Sequence, residues 1–88
     1  MRKLVNLTEK DMRNGKRSSP SSCPLSIAIR RAFKYTEAVS VGATGASFLR
    51  GIKRIRVKLP NKAQEFIYKF DRSKPTQPIR FYLVVPGL

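Results

Sequence analysis

Histidine and tryptophan are absent from the 88 residues, cysteine occurs once, and aspartate plus glutamate together number only 5. Without histidine and with a single thiol, no intrachain disulfide and no zinc quartet of any usual spacing can be built, which argues against a metalloenzyme. Histidine-dependent acid–base or nucleophilic chemistry is removed with it. No apolar run approaches the roughly 18 residues that a membrane span requires. Residues Met1 to Leu7 also lack the apolar core of a signal peptide. The composition thus predicts a cytoplasmic protein that needs no cofactor and is not an enzyme.

What the chain has in excess is positive charge. Lysine plus arginine number 19, giving a formal net charge of +14 and a pI near 11.0. Such an imbalance predicts a negatively charged partner, DNA or RNA or an acidic protein surface. At this length the chain makes one small domain, residues 1–88, whose core is thin and could be completed by a partner or a second copy.

Several elements follow from spacing. Leu4, Val5 and Leu7 suit a short first strand. Thr8 and Asp11 resemble a capping box with aspartate in place of the usual glutamate or glutamine, predicting a single helical turn to about Arg13 that stops at Asn14-Gly15. Residues 16–22, KRSSPSS, are predicted to be an exposed serine and proline loop and the first place to expect local disorder.

Ser22-Cys23-Pro24 then reads as a helix start, with serine as cap and proline at the first helical position. Leu25, Ala28, Ile29, Ala32 and Phe33 form the apolar face of a helix from 24 to about 34, and Arg30, Arg31 and Lys34 fall on or beside its other face. Val39 and Val41 predict a short strand ending at Gly42, followed by a small-residue loop from Gly42 to Ser47.

From Ile52 to Leu59 the pattern alternates. Ile55, Val57 and Leu59 point one way, and Arg54, Arg56 and Lys58 the other, as in a half-buried strand with a cationic outer face. Ala63, Phe66, Ile67 and Phe70 mark a second helix over about 61 to 71. Ile79, Phe81, Leu83 and Val85 mark a last strand ending at Pro86-Gly87. The resulting order, β-α-β-β-α-β, predicts an α+β two-layer sandwich: one mainly antiparallel sheet of about four strands with two helices on one face, compatible with a ferredoxin-like arrangement.

The cationic strand is the strongest functional signal. Its outward residues stand about 6 to 7 Å apart, close to the separation of successive phosphates on a nucleic-acid strand. Arg50, Lys53, Arg54, Arg56 and Lys58, with Arg80 and Tyr82 of the last strand, are the candidate contacts, and Arg30, Arg31 and Lys34 are secondary ones. A solvated face that resists edge pairing is the alternative role of such a strand. The +14 total favours polyanion binding, because self-repulsion destabilises so small a domain in the absence of counter-charge.

RNA-recognition sheets follow K/R-G with aromatic residues, whereas Arg50-Gly51 is followed here by Ile52-Lys53-Arg54-Ile55. Tyr82 is then the one candidate for base stacking, while Tyr35 and Tyr68 read equally as packing residues. Contacts are therefore expected mainly to phosphate, salt-sensitive and weakly sequence-specific.

Other motifs read as structural. Cys23 at a helix start could form a thiolate but has no histidine base, so capping or packing is its expected role. Gly42 to Ser47 lacks the lysine that would follow the second glycine of a phosphate-binding loop. Asp71 is expected to cap a loop or to pair with Arg72 or Lys74.

Three groups of residues together resemble small phage- and prophage-encoded accessory proteins: Leu7-Thr8 with Asn14-Gly15-Lys16-Arg17; Cys23-Pro24-Leu25-Ser26-Ile27-Ala28; and Leu59-Pro60 with Phe66-Ile67, Phe70-Asp71 and Pro78-Ile79-Arg80-Phe81. The resemblance implies an accessory protein of viral origin acting in a bacterial cytoplasm on host defence, transcription or replication, and it implies no catalytic residues. Two functions follow as expectations. The first is a basic phage accessory protein that binds nucleic acid. The alternative is a counter-defence inhibitor or adaptor, similar in role to an anti-CRISPR, docking on an acidic surface or nucleic-acid channel of a host protein with Phe48, Leu49 and Tyr82 as apolar anchors.

Overall fold

In the computed structural model, which describes residues 2–33 and 37–85, the elements are β1 (Arg2–Leu7), α1 (Glu9–Asn14), α2 (Pro24–Ala32), β2 (Glu37–Val41), β3 (Gly45–Arg50), β4 (Lys53–Lys58), α3 (Asn61–Asp71) and β5 (Ile79–Val84). Lys34, Tyr35 and the Pro86-Gly87 stop fall outside the described residues.

The α+β class stands, but the strands divide into two antiparallel sheets. One is the meander β2-β3-β4, and the other pairs β1 with β5. The single ferredoxin-like sheet is therefore corrected. The reason lies in β3, expected as part of a loop. Gly45, Ala46 and Ser47 carry little strand propensity of their own, yet Ala46 and Phe48 are buried while Ser47 and Leu49 lie on the other side, a period of two. Once β3 forms, hairpins satisfy the meander locally and leave β1 to pair with the last strand.

The sheets share one core. Helix α2 packs against β1, β2 and α1, and its Leu25, Ala28, Ile29 and Phe33 join Val5, Leu7, Phe48, Leu59 and Leu83 in a continuous buried cluster. Phe33 and Phe48 stack with ring centroids 5.7 Å apart. Between Glu37 and Ser40 an extra residue interrupts the β2–β3 register, with Ala38 at φ 52°. Val39 and Val41 reach the core by simple alternation, and the bulge before them turns Glu37, otherwise in phase with both, outward beside Leu49. In α3 the predicted stripe holds, although Ile67 and Phe70 are only half-buried.

Thr8 and Asp11 form a complete capping box on α1. The Asp11 carboxylate also takes both terminal nitrogens of Arg31, at 2.9 and 2.6 Å, and Arg31 Nη2 donates in addition to the Asn6 carbonyl at 2.6 Å. Asp11 is 3% exposed. Hydrogen bonding from Arg31 above all, and from the Thr8 amide, holds its pKa below the ordinary carboxylate value against the opposing effect of burial.

The loop 16–22 is exposed, as expected, but it is tied down rather than loose. Ser18 N donates to Asp71 Oδ1 at 2.9 Å, Arg17 Nε to the Phe70 carbonyl at 3.2 Å, and Val41 N to the Pro20 carbonyl at 2.9 Å. Asp71 thus caps this loop. The cap of α2 also moves by one residue: Cys23, not Ser22, stands at the N-cap, with Sγ accepting from Ser26 N at 3.4 Å.

Two substitutions test this framework. Asp11→Ala removes the cap and leaves Arg31 unpaired, and it is expected to cost about 2–3 kcal/mol, lowering Tm by at least about 8 °C in a domain this small. Because Asp11 has a depressed folded-state pKa, its contribution is present above the unfolded value of about 3.9 and is lost as pH falls through the folded value. Urea titrations across the acid range should therefore show a shallower loss of stability for Asp11→Asn than for the parent. In the second, a β-carbon at Gly15 would lie 2.4 Å from both the ring Cδ and the backbone nitrogen of Pro24. Gly15→Ala should cost about 1–3 kcal/mol by chemical denaturation.

Candidate polyanion-binding surface

The alternation along β4 produces the surface that its residues predict. Ile55 and Val57 are buried, and Lys53, Arg54, Arg56 and Lys58 are exposed. β4 is an edge strand of the meander. Opposite its outward residues, β3 presents Gly45 to Lys58, Ser47 to Arg56 and Leu49 to Arg54. The neighbours on β3 are small or neutral, so nothing there neutralises the row.

Arg54 Nη1 donates to Ser47 Oγ at 3.2 Å, which leans this guanidinium toward β3. Among the described residues, Arg50, Lys53, Arg56 and Lys58 form no ion pair. Neighbouring like charges about 6.6 Å apart repel by roughly 0.6 kcal/mol at the dielectric of water and about 2.5 kcal/mol at an effective dielectric of 20. A line of phosphates relieves that repulsion.

One acid shares the sheet: Glu37 of β2 is paired with Leu49, which is paired with Arg54, so it lies one strand beyond the end of the row nearest the hairpin tip. Asp11 holds Arg31, Glu65 holds Lys69 at 2.8 Å within α3, and Asp71 accepts from the Ser18 amide. The nearby Lys69 ammonium lowers the Glu65 pKa.

At the end of the row, the two-residue turn between Arg50 and Lys53 carries Gly51 at φ 66°, the left-handed first position that glycine fills in a II′ hairpin. Ile52 beside it is fully exposed. The predicted cations Arg50, Lys53, Arg54, Arg56 and Lys58 thus share one hairpin.

Arg80 and Tyr82 lie apart from them, on the outer side of the β1–β5 sheet. There Tyr82 faces Leu4 across the strands and Arg80 faces Asn6, and the Arg2 guanidinium lies 4.2 Å from the centre of the Tyr82 ring. Arg30 is exposed on α2, which packs on the core side and does not extend the β4 row. Arg31 is occupied by Asp11 and Asn6, so it is not a free cation. Lys34 lies outside the described residues. Of the apolar anchors considered for a protein partner, Phe48 is fully buried and Leu49 half-buried, which leaves Tyr82.

Sequence reasoning missed Arg2, Leu4 and Lys62 beside Tyr82. A signal existed: Leu4 is out of phase with Val5 and Leu7, and a strand that buries those two must expose it. The outward positions of β2, β3 and β4 carry no aromatic ring. Among the described residues, the half-exposed rings are Tyr82 on the other sheet and Tyr68 on α3, the latter under Arg72 and Lys74 rather than packed in the core.

The remaining motifs are structural. Gly42 N donates to the Gly45 carbonyl at 2.8 Å inside its own turn. Cys23 is 8% exposed and lines a cleft of about 530 Å³ between the 16–22 loop and α3. No helix of the described residues is long and apolar enough to cross a membrane. No family model, curated protein or solved structure matches the chain.

The burial of Cys23 has a direct check. Ellman's reagent should modify the native thiol at least about tenfold more slowly than the urea-unfolded chain, because the reaction requires an accessible thiolate.

Proposed function

We propose that this chain is a small non-enzymatic binding protein, an accessory protein of phage origin, that engages nucleic acid through its phosphates. The observation that carries the reading is the row Arg54, Arg56 and Lys58, exposed on one edge strand with no acidic residue across from it. Three outward cations with a two-residue repeat match a repeating anionic partner better than they match isolated surface charges. Arg50 and Lys53, paired at the hairpin tip, carry the phase of Phe48 and Ile55 and so add charge on the other face of the tip rather than to the row itself. Contacts of this kind set register along a strand and carry little sequence information.

The runner-up is a counter-defence adaptor that docks on an acidic host protein. Fully exposed Ile52 between Arg50 and Lys53 favours it, as an apolar anchor ringed by charges that would steer the encounter. In both readings the working compartment is the bacterial cytoplasm.

Fluorescence anisotropy with labelled DNA and RNA between about 50 and 300 mM salt separates the two. Nucleic-acid binding predicts a saturable complex whose log affinity falls linearly with log salt, each phosphate neutralised on a duplex contributing a slope of about −0.9. The Arg54→Glu, Arg56→Glu double variant should keep its native circular dichroism, lose at least tenfold in affinity and flatten the slope by about two. Affinity unchanged in that variant would remove the β4 face from the interface. A stoichiometric host protein that co-purifies after nuclease treatment, with no nucleic-acid complex, would support the adaptor instead.

A further inference from the structure

Beside the end of the cationic row lies a second surface of different chemistry. An open groove of about 730 Å³ is bounded by Leu4, Pro60, Lys62, Ile79, Arg80 and Tyr82, and no acidic residue lines it. Its floor is apolar and aromatic: Tyr82 is 51% exposed and Leu4, directly across the strand pair, 40%. Its rim is cationic. Lys62 Nζ is placed there by donating to the Arg80 carbonyl at 3.3 Å, and the Arg2 guanidinium lies 4.2 Å from the centre of the Tyr82 ring.

Chain connectivity joins this groove to the phosphate-binding row. Lys58 closes β4, and Pro60 of the groove wall follows two residues later, a span of at most about 7 Å. The near wall of the groove thus begins close to the Lys58 end of the row, and Tyr82 lies beyond it on the other sheet.

A half-exposed tyrosine ring with the Arg2 guanidinium over one of its faces, an aliphatic wall and two flanking cations suit an unpaired nucleobase that extends this cation–aromatic stack, with its phosphates on the rim. Paired bases stacked in a duplex offer no free face to such a platform. An acidic protein segment would satisfy the cations but offers a ring only where its sequence places one, whereas every nucleotide pairs a ring with a phosphate. We propose that this groove takes one unpaired base, stacked at Tyr82, and that the protein's preferred ligand is single-stranded nucleic acid. The proposal rests on the phosphate-binding reading of β4 and adds base recognition to it.

The test compares a fluorescein-labelled thymidine oligonucleotide of about a dozen residues with an abasic oligonucleotide of the same length, which keeps the phosphates and lacks the rings. One base–aromatic stack is expected to make the thymidine probe bind at least about fivefold tighter than the abasic one. Tyr82→Ala should bring the two probes to equal affinity, and Tyr82→Phe should keep them apart. Arg54→Glu with Arg56→Glu should weaken both by the same factor. With three tyrosines and no tryptophan in the chain, quenching of tyrosine emission by the thymidine probe but not by the abasic one should persist in Tyr68→Phe and disappear in Tyr82→Phe, which separates the two exposed rings. Equal affinity of the parent protein for both probes, with the salt dependence intact, would overturn the base groove and leave phosphate binding in place. If neither probe binds, both readings fall.

Discussion

A single buried carboxylate holds the N-terminal third of this protein together. Asp11 accepts the Thr8 amide at the start of α1 and both terminal nitrogens of Arg31 from the last turn of α2. Arg31 also reaches the Asn6 carbonyl at the end of β1, so one planar pair joins β1, α1 and α2. Its bidentate geometry restricts how these elements can turn relative to one another. With the turn of α1 placed, Gly15 fits beneath Pro24, and α2 begins where its apolar face meets both sheets.

This arrangement explains how so basic a chain can have an ordered fold. Three of its five acids occupy structural positions: Asp11 at the junction of three elements, Asp71 at the 16–22 loop, Glu65 within α3. Several cations find partners that are not acids. Arg17, Arg72 and Lys74 lie over the rings of Phe70 and Tyr68, and Arg2 over Tyr82. The β4 row receives neither kind of compensation. Its charge is directed outward into solvent.

Much of this was legible in the residues, in proportion to how strongly each element is patterned. β4, α2, α3 and β5 carry regular alternation or an apolar stripe, and each forms near its predicted bounds. The capping box on α1 was legible because two residues three positions apart, Thr8 and Asp11, are enough to write it. β3 was not, because Gly45, Ala46 and Ser47 are written in residues that also make loops, and its strand character comes from pairing on both sides. The division into two sheets follows from that one strand, and with it the separation of Arg80 and Tyr82 from the β4 cations. Arg31 was misread for another reason: the carboxylate that occupies it lies 20 positions earlier in the chain, a distance no local pattern spans. The cations of β4 were legible because exposure on a half-buried strand is a local property.

The pairing of β1 with β5 sets Arg2 beside Val84 and Leu7 beside Ile79, so the two most distant strands of the domain are neighbours. The meander closes through short hairpins and can form early, whereas β1 must wait for a partner at the far end of the chain, with nearly the whole domain as the intervening loop. Until then Val5 and Leu7 have no cross-strand partners, and the sheet that bears Tyr82 does not exist. The entropic cost of closing that long loop is offset by the burial it completes, since Val5, Leu7 and Leu83 become the most enclosed side chains of the two strands. The surface around Arg2 and Tyr82 therefore exists only when the two ends of the chain have met, whereas the outward cations of β4 need nothing beyond their own hairpin.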